Sequence, residues 1–251
     1  RGRLWRGVER VTIEQTFTDD QFLQARVKLR QRATGHRAGS DAVLLAAAIP
    51  PDLRGIAVDA GASSGAAGLM AAWRAPNARI RLIEIDEQDL ALADANISAN
   101  AMQSRVTAHY ADLFASHAVR KTQGICRGDA DLVLSNPPYL DEADSRSSPD
   151  TDRVRAHVMP EGGLEKWIIA CLHMLKADGV LTMIHRADKL DDVLHLMQGR
   201  FGDIAILPIH SRNNEAATRI LISGKCNSRA PLRILPGLVI HRNEGGFAPE
   251  A

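Results

Sequence analysis

The sequence predicts an α/β fold: a mostly parallel sheet with helices on both faces and an antiparallel strand at one edge. Three observations carry that expectation. Short β-like runs alternate with helical ones through the middle of the chain. Two late strand-like runs have only a polar loop between them. A chain of 251 residues, 45% hydrophobic, can bury a full core, either as one large domain or as one domain with additions at its ends.

Before the core, Arg26-Val-Lys-Leu-Arg30 alternates basic with apolar residues, which predicts a strand with one buried and one positive face. Ser40 or Asp41 is expected to cap a short helix through Ala48, stopped by Pro50 and Pro51. Residues 1–50 therefore read as a basic extension of strand and short helix packed on a core domain of residues 51–251, which ends in a basic segment. Within the core, strands are expected at 56–59, 79–84, 105–110, 131–135 and 179–184. Helices are expected at about 65–73, 87–101, 162–175 and 188–198, several opening on an acid and closing near Gly or Asn. Residues 201–207 and 218–223, joined by the polar loop 211–215, read as a hairpin that adds the antiparallel edge. Trp73 and Trp167 read as helix core.

Net charge is +1, but unevenly spread: residues 1–40 hold nine Lys/Arg against four Asp/Glu, residues 200–251 seven against four, and the middle is acidic. Basic ends suit a polyanion such as RNA, and they also suit ordinary solvated faces. No apolar run is long enough to span a membrane. Arg1 to Arg10 have neither a starting Met nor the apolar core of a signal peptide, so the start reads as trimmed and the location as cytoplasmic. Cys126, Cys171 and Cys226 lack zinc-ligand spacing, so reduced thiols and no metal site are expected.

Asp59-Ala-Gly-Ala-Ser-Ser-Gly65 falls where a strand becomes a helix, and Gly61 and Gly65 let the backbone approach a ligand closely. Such turns occur in NAD enzymes, in AdoMet (S-adenosylmethionine) enzymes and in plain tight turns. Glu84, at the end of the second core strand, can accept the ribose hydroxyls of an adenosine ligand, or be one more solvated acid beside Asp86 and Glu87. Asp112, after the third strand, can take an adenine amino group or cap a helix.

Ser135-Asn-Pro-Pro-Tyr139 is the most informative element, because it ends an apolar strand where open α/β sheets bind ligands. The NH2 of an adenine or amide is a poor nucleophile, its lone pair being delocalised. The Asn136 side-chain oxygen and the Pro137 carbonyl can bond both its hydrogens and turn the lone pair toward an incoming methyl group. Pro137 and Pro138 fix the turn and remove competing donors. Tyr139 can stack on the planar group. A sulfonium methyl is already activated, so positioning and charge matching suffice, and no Ser, His or Asp nucleophile arrangement is needed.

With these residues the sequence resembles the class I AdoMet-dependent methyltransferases, and within them the bacterial tRNA(Val) adenine-37 N6-methyltransferase family. The likeness is carried by Gly35 to Leu45, Asp59 to Leu69, Glu84-Ile-Asp86, Asn136 to Tyr139 and the late segment 232–246. It implies a Rossmann-like, seven-stranded, mostly parallel sheet with one antiparallel edge strand. It also implies AdoMet held by Asp59, Gly61, Ser63, Gly65, Glu84 and Asp112, with Arg37 and Asp41 near its methionine end, and Asn136 to Tyr139 on the target base. As residue types alone, Arg37 and Asp41 read equally as a loop cation and a helix cap. The implied partner is tRNA, for which the basic strand of Arg26, Lys28 and Arg30 offers phosphate contacts. One departure stands out: Ser63 occupies the place of the loop's middle glycine, which a serine fills without strain if its φ stays negative.

Other readings have distinguishing features. Glutamine N5-methyltransferases of release factors share the Asn-Pro-Pro-Tyr turn but carry a helical domain before the core. A small-molecule methyltransferase would suit the low net charge. A non-catalytic RNA-binding module follows only if Ser63 abolishes cofactor binding. An NAD dehydrogenase would leave Asn136 to Tyr139 without a role.

Overall fold

The computed structural model describes residues 16–34, 37–138, 140–141, 158–159, 162–242 and 246–248. It opens with a hairpin of β1 (Phe17–Phe22) and β2 (Val27–Arg32), followed by α1 (Ser40–Ala47). Strand–helix units then succeed one another: β3 (Ile56–Ala60), α2 (Ala66–Arg74), β4 (Arg79–Glu84), α3 (Glu87–Ala99), β5 (Val106–Tyr110), α4 (His117–Thr122) and β6 (Ala130–Ser135). Beyond the short parallel pair β7 (Leu140–Asp141) and β8 (Val158–Met159) come α5 (Gly163–Met174), β9 (Leu175–Arg186) and α6 (Leu190–Met197). The long hairpin β10 (Phe201–Arg212) and β11 (Ala217–Cys226) leads to β12 (Arg233–Ile234) and β13 (Leu238–His241).

The main sheet runs β12-β10-β11-β9-β6-β3-β4-β5, with β13 also beside β10. The predicted alternation is there, but two details differ from the seven-stranded sheet with an antiparallel edge. The sheet has nine strands, because two short pieces of the tail lie parallel to β10. Runs of two and four residues show no readable periodicity. The antiparallel strand, β11, is interior: it inserts between β9 and β10, pairing antiparallel with both. A hairpin pattern says that two arms pair, not which arm meets the rest of the sheet.

Core strands alternate between two apolar layers. Ala57, Leu82 and Leu134 face α1, α2 and the hairpin side with Leu45, Leu69 and Met70. Val58, Ile83 and Val133 face α5 and α6 with Ile168, Met174 and Val193. Burial on both faces makes these strands read as near-continuous apolar runs.

Residues from β2 lie on α3 through an asparagine ladder. Asn96 and Asn100, one turn apart on the helix, each accept a backbone N–H and donate to the carbonyl of the same β2 residue, Arg30 and Lys28 respectively, at 2.7–2.8 Å. Side-chain amides thus replace a neighbouring strand. The alternation of β2 is as predicted: Val27 and Leu29 are buried while Lys28 and Arg30 are exposed.

Two local expectations are corrected. The cap of α1 is Gly39 with no side-chain bond; Ser40 is already helical, and the Asp41 carboxylate accepts from Arg219 of β11 at 3.1 Å. Trp73 is not core but 39% exposed, with the Arg26 guanidinium 5.0 Å above its ring. The small residues Ala67, Gly68, Ala71 and Ala72 take the inner face of α2 instead. Among the described residues, no helix is long and apolar enough to cross a membrane, and no three His, Cys, Asp or Glu side chains gather as a metal would need.

Candidate active site

The carboxyl ends of β3, β4, β5 and β6 lie side by side, where open parallel sheets bind ligands. Ala60 of β3 pairs with Ser135 of β6, so the glycine loop leaving one strand adjoins the Asn136 turn leaving the other. Asn136 and Pro138 are half-buried there and Pro137 is buried. Tyr139 lies outside the described residues.

Loop 61–65 reverses the chain with positive φ at Gly61 (76°) and Gly65 (88°). Ser63 also has positive φ, 48°, against the expectation that a serine here keeps a negative one. Its neighbours explain the difference: its N–H donates to Glu84 Oε2 at 2.7 Å and its hydroxyl donates to Asp89 Oδ2 at 3.1 Å. Asp59 is buried under the loop, its Oδ2 accepting from Gly68 N at 2.7 Å. Burial pushes this carboxyl from 3.8 up to about 7, against the Gly68 amide and with the charge of Glu84 adding to the rise. Asp59 therefore satisfies a first-turn N–H of α2, the helix that follows the loop.

Glu84 is buried at the end of β4, and burial raises its pKa against the three amides that favour its charged form. Oε1 accepts from Ile85 N and Asp86 N, both at 2.8 Å, while among the described residues Oε2 accepts only from Ser63 N. With about two acceptor positions per oxygen, Oε2 keeps one for a ligand hydroxyl. The next residue, Ile85, is 52% exposed, and Phe114, past the end of β5, is 40% exposed. Two bare apolar side chains at adjacent strand ends, beside a buried carboxylate, fit a nucleoside: hydroxyls on the acid and a flat base against Ile85 and Phe114. Asp112 is half-exposed; its Oδ1 accepts from Phe114 N at 2.7 Å, so it closes that turn, and Ser116 caps α4 instead.

Trp167 of α5 joins the two halves of the site. Its Nε1 donates to Ser135 Oγ at 2.8 Å, Ser135 Oγ donates to Ala60 O at 3.2 Å, and its ring meets Phe114 edge-on at 6.0 Å. A methyl added at Gly61 would stand 2.8 Å from the same ring. The core role expected for Trp167 holds, yet this core residue braces the site.

Four predicted residues have other partners. Arg37 donates to Asp20 Oδ2 at 2.9 Å and Thr18 Oγ1 at 3.1 Å, tying β1 to the approach of α1. Asp41 pairs with Arg219 as above, at the carboxyl edge beyond β9, since Arg219 lies opposite Arg186. Arg30 forks onto Asp19 through two bonds of 2.8 and 2.9 Å, and Arg26 covers Trp73. Of that stripe, only Arg30 forms an ion pair among the described residues, and Lys28 has neither an ion pair nor a ring contact there. Sequence reasoning missed Ile85 and Phe114 altogether, placed Ser135 only as the start of the Asn136 turn and Trp167 only as helix core, and did not see that the two bond each other. An exposed apolar residue directly after a site acid is the one signal that marks Ile85 and, nearly, Phe114.

The methyltransferase small domain model matches residues 38–211 of the chain. The tRNA1(Val) (adenine(37)-N6)-methyltransferase of Porphyromonas gingivalis is 30% identical over 241 residues, covering 92% of this chain and 91% of that one. The ribosomal protein uL3 glutamine methyltransferase of Bradyrhizobium diazoefficiens is 29% identical over 51% of this chain and 40% of its own length. Among solved structures, a predicted O-methyltransferase from Agrobacterium tumefaciens superposes with a TM-score of 0.71 at 27% identity, over 83% of this chain and 92% of that one.

Proposed function

This chain belongs to the methyltransferase small domain family, and from that premise we propose that it moves a methyl group from AdoMet to the N6 amine of an adenine in tRNA. The observation that carries the reading is the pairing of Ala60 with Ser135, which sets the cofactor loop and the Asn136 turn at one point of the sheet edge. When bound, AdoMet supplies a methyl group already activated by its sulfonium, which leaves the protein the tasks of holding and aligning. Glu84 accepts a ribose hydroxyl at Oε2, Ile85 and Phe114 flank the adenine, and Asp112 stands near its amino group. Gly61, Ser63 and Gly65 bring loop backbone close, with Asp59 beneath them. Arg37 and Asp41 lie toward the methionine end.

Asn136 Oδ1 and the Pro137 carbonyl accept the two hydrogens of the target amine, an arrangement that gains strength as the nitrogen becomes pyramidal. Pro138 keeps the turn rigid, and Tyr139 stacks on the base. Arg26, Lys28 and Arg30 contribute to holding RNA, with Arg30 weakened by its fork onto Asp19. A tRNA substrate makes the cytoplasm the place of action. The relative that methylates a glutamine of a ribosomal protein favours a second reading, amide N5 methylation, since the same two acceptors suit any planar NH2.

The test follows label from AdoMet into bulk tRNA and, in parallel, into protein glutamine, with wild type and Asn136→Ala. Wild type should label adenine, and Asn136→Ala should lose about 10² to 10³ in rate with AdoMet affinity unchanged. Wild-type activity in Asn136→Ala would remove the turn from the chemistry; label in glutamine alone would select the second reading.

A further inference from the structure

Ser63 is a serine held in left-handed backbone inside the loop that meets the cofactor, and such a residue persists only where its surroundings over-determine it. Besides the bond to Glu84, the restraints come from outside the sheet. Asp89, which takes the Ser63 hydroxyl, faces β2: its Oδ1 lies 2.9 Å from Arg32 Nε. That contact is an ion pair bent away from hydrogen-bond geometry, since Nε has no acceptor in line. Arg32 Nη2 donates to Asp86 Oδ1, the same oxygen that caps α3 through Gln88 N and Asp89 N. Burial raises the Asp89 carboxyl and the Arg32 guanidinium opposes that rise, while the Arg32 contact at 2.9 Å holds the carboxylate group where the serine hydroxyl reaches it.

A second relay runs about two turns further along the same helix. Asn96, 1% exposed, donates to Ser64 O at 2.9 Å while it exchanges two bonds with the backbone of Arg30. Consecutive β2 positions on one side, 30 and 32, therefore reach consecutive loop residues, 64 and 63, through α3.

We propose that β2 of the N-terminal hairpin is a clamp on the cofactor loop, in which Arg32, acting through Asp89 on Ser63, and Asn96, acting on Ser64, are positioning residues. The clamp lets a serine stand where the loop needs left-handed backbone that glycine would adopt unaided. It rests on the reading that this loop binds AdoMet. Without Arg32, Asp89 loses the cation that holds it against β2 and turns to solvent, the Ser63 hydroxyl loses its acceptor, and the residue relaxes toward negative φ, withdrawing loop N–H groups from the ligand.

The test is calorimetric binding of AdoMet and of S-adenosylhomocysteine to the full chain, as wild type, Arg32→Ala, Ser63→Gly and the double variant, with thermal melting of each ligand-free protein. Arg32→Ala should weaken both ligands about tenfold, the scale of one hydrogen bond to a charged group. In the Ser63→Gly background the same change should cost less than about twofold, because glycine holds positive φ without help. Equal loss for S-adenosylhomocysteine, which lacks the sulfonium charge, separates loop geometry from local charge. The clamp is overturned if Arg32→Ala binds like wild type, if its loss is undiminished beside Ser63→Gly, or if the loss appears with one ligand alone. Failure of wild type to bind AdoMet overturns the cofactor reading, and the clamp with it.

Discussion

Replacing Gly61 by alanine tests how closely the glycine loop and the Asn136 turn are built together. Two costs are readable from the structure. At φ 76° an alanine adopts left-handed backbone, which costs about 1 to 2 kcal/mol. Its methyl would also stand 2.8 Å from Cη2 and 2.9 Å from Cζ2 of Trp167. That indole cannot simply swing aside, because Nε1 is bonded to Ser135 Oγ and the ring is 7% exposed. Overpacking of this kind costs about 1 to 3 kcal/mol. The stiffer unfolded chain returns about 0.4 to 1 kcal/mol, leaving a net loss of about 1 to 4.6 kcal/mol. Urea unfolding at constant m measures it. Gly39→Ala is the control, since nothing lies within 4 Å of its added methyl and its φ is −144°. Trp167→Phe removes the ring atoms in question, so in that background Gly61→Ala should cost only the backbone share less the unfolded-chain return, about 0 to 1.6 kcal/mol. A Gly61→Ala loss below about 1 kcal/mol, or one unchanged by Trp167→Phe, would refute the argument that Trp167 fixes the loop.

Asp59 makes stability depend on pH in a definite direction. Its folded pKa, about 7, lies above its ordinary 3.8, so the folded state holds the proton more tightly; that stabilisation is complete below the unfolded value and is lost as pH rises through 7. The shift corresponds to about 4 kcal/mol at most. Asp59→Asn keeps an acceptor for Gly68 N, and between about pH 4 and pH 8 its unfolding free energy should fall by less than that of wild type. A parallel pH dependence in the two proteins would show Asp59 ionised throughout. For the basic strand, changing Arg26, Lys28 and Arg30 together to alanine should flatten the salt dependence of tRNA binding by about 1.4 rather than about 2.1, at about 0.7 for each phosphate contact, because Arg30 is already spent on Asp19. An unchanged slope would make the stripe a solvated face.

Much of the fold and part of the site were legible in the residues themselves. Near-continuous apolar strands such as Asp131-Leu-Val-Leu-Ser135 announce a sheet buried on both faces, and Val27 and Leu29 between basic residues announce one face of β2. Asn136 with two prolines at a strand end is the local sign on which the proposed chemistry rests, since it sets a side-chain and a backbone acceptor side by side and the prolines bring no N–H. These are local properties, written within a few residues of one another.

What the tertiary structure decided is everything that depends on which distant segments meet. The insertion of β11 between β9 and β10, the bracing of Gly61 by Trp167, and the diversion of Arg30 to Asp19 and Asp41 to Arg219 each join segments that no periodicity links. Ser63 is the sharpest case. By itself a serine favours negative φ, and only the convergence of Glu84, Asp89 and, through Asp89, Arg32 makes the left-handed turn its resting place. Backbone preferences of about 1 kcal/mol are set by the residue type, but a few long-range hydrogen bonds of similar size outweigh them, and those exist only once the chain has folded.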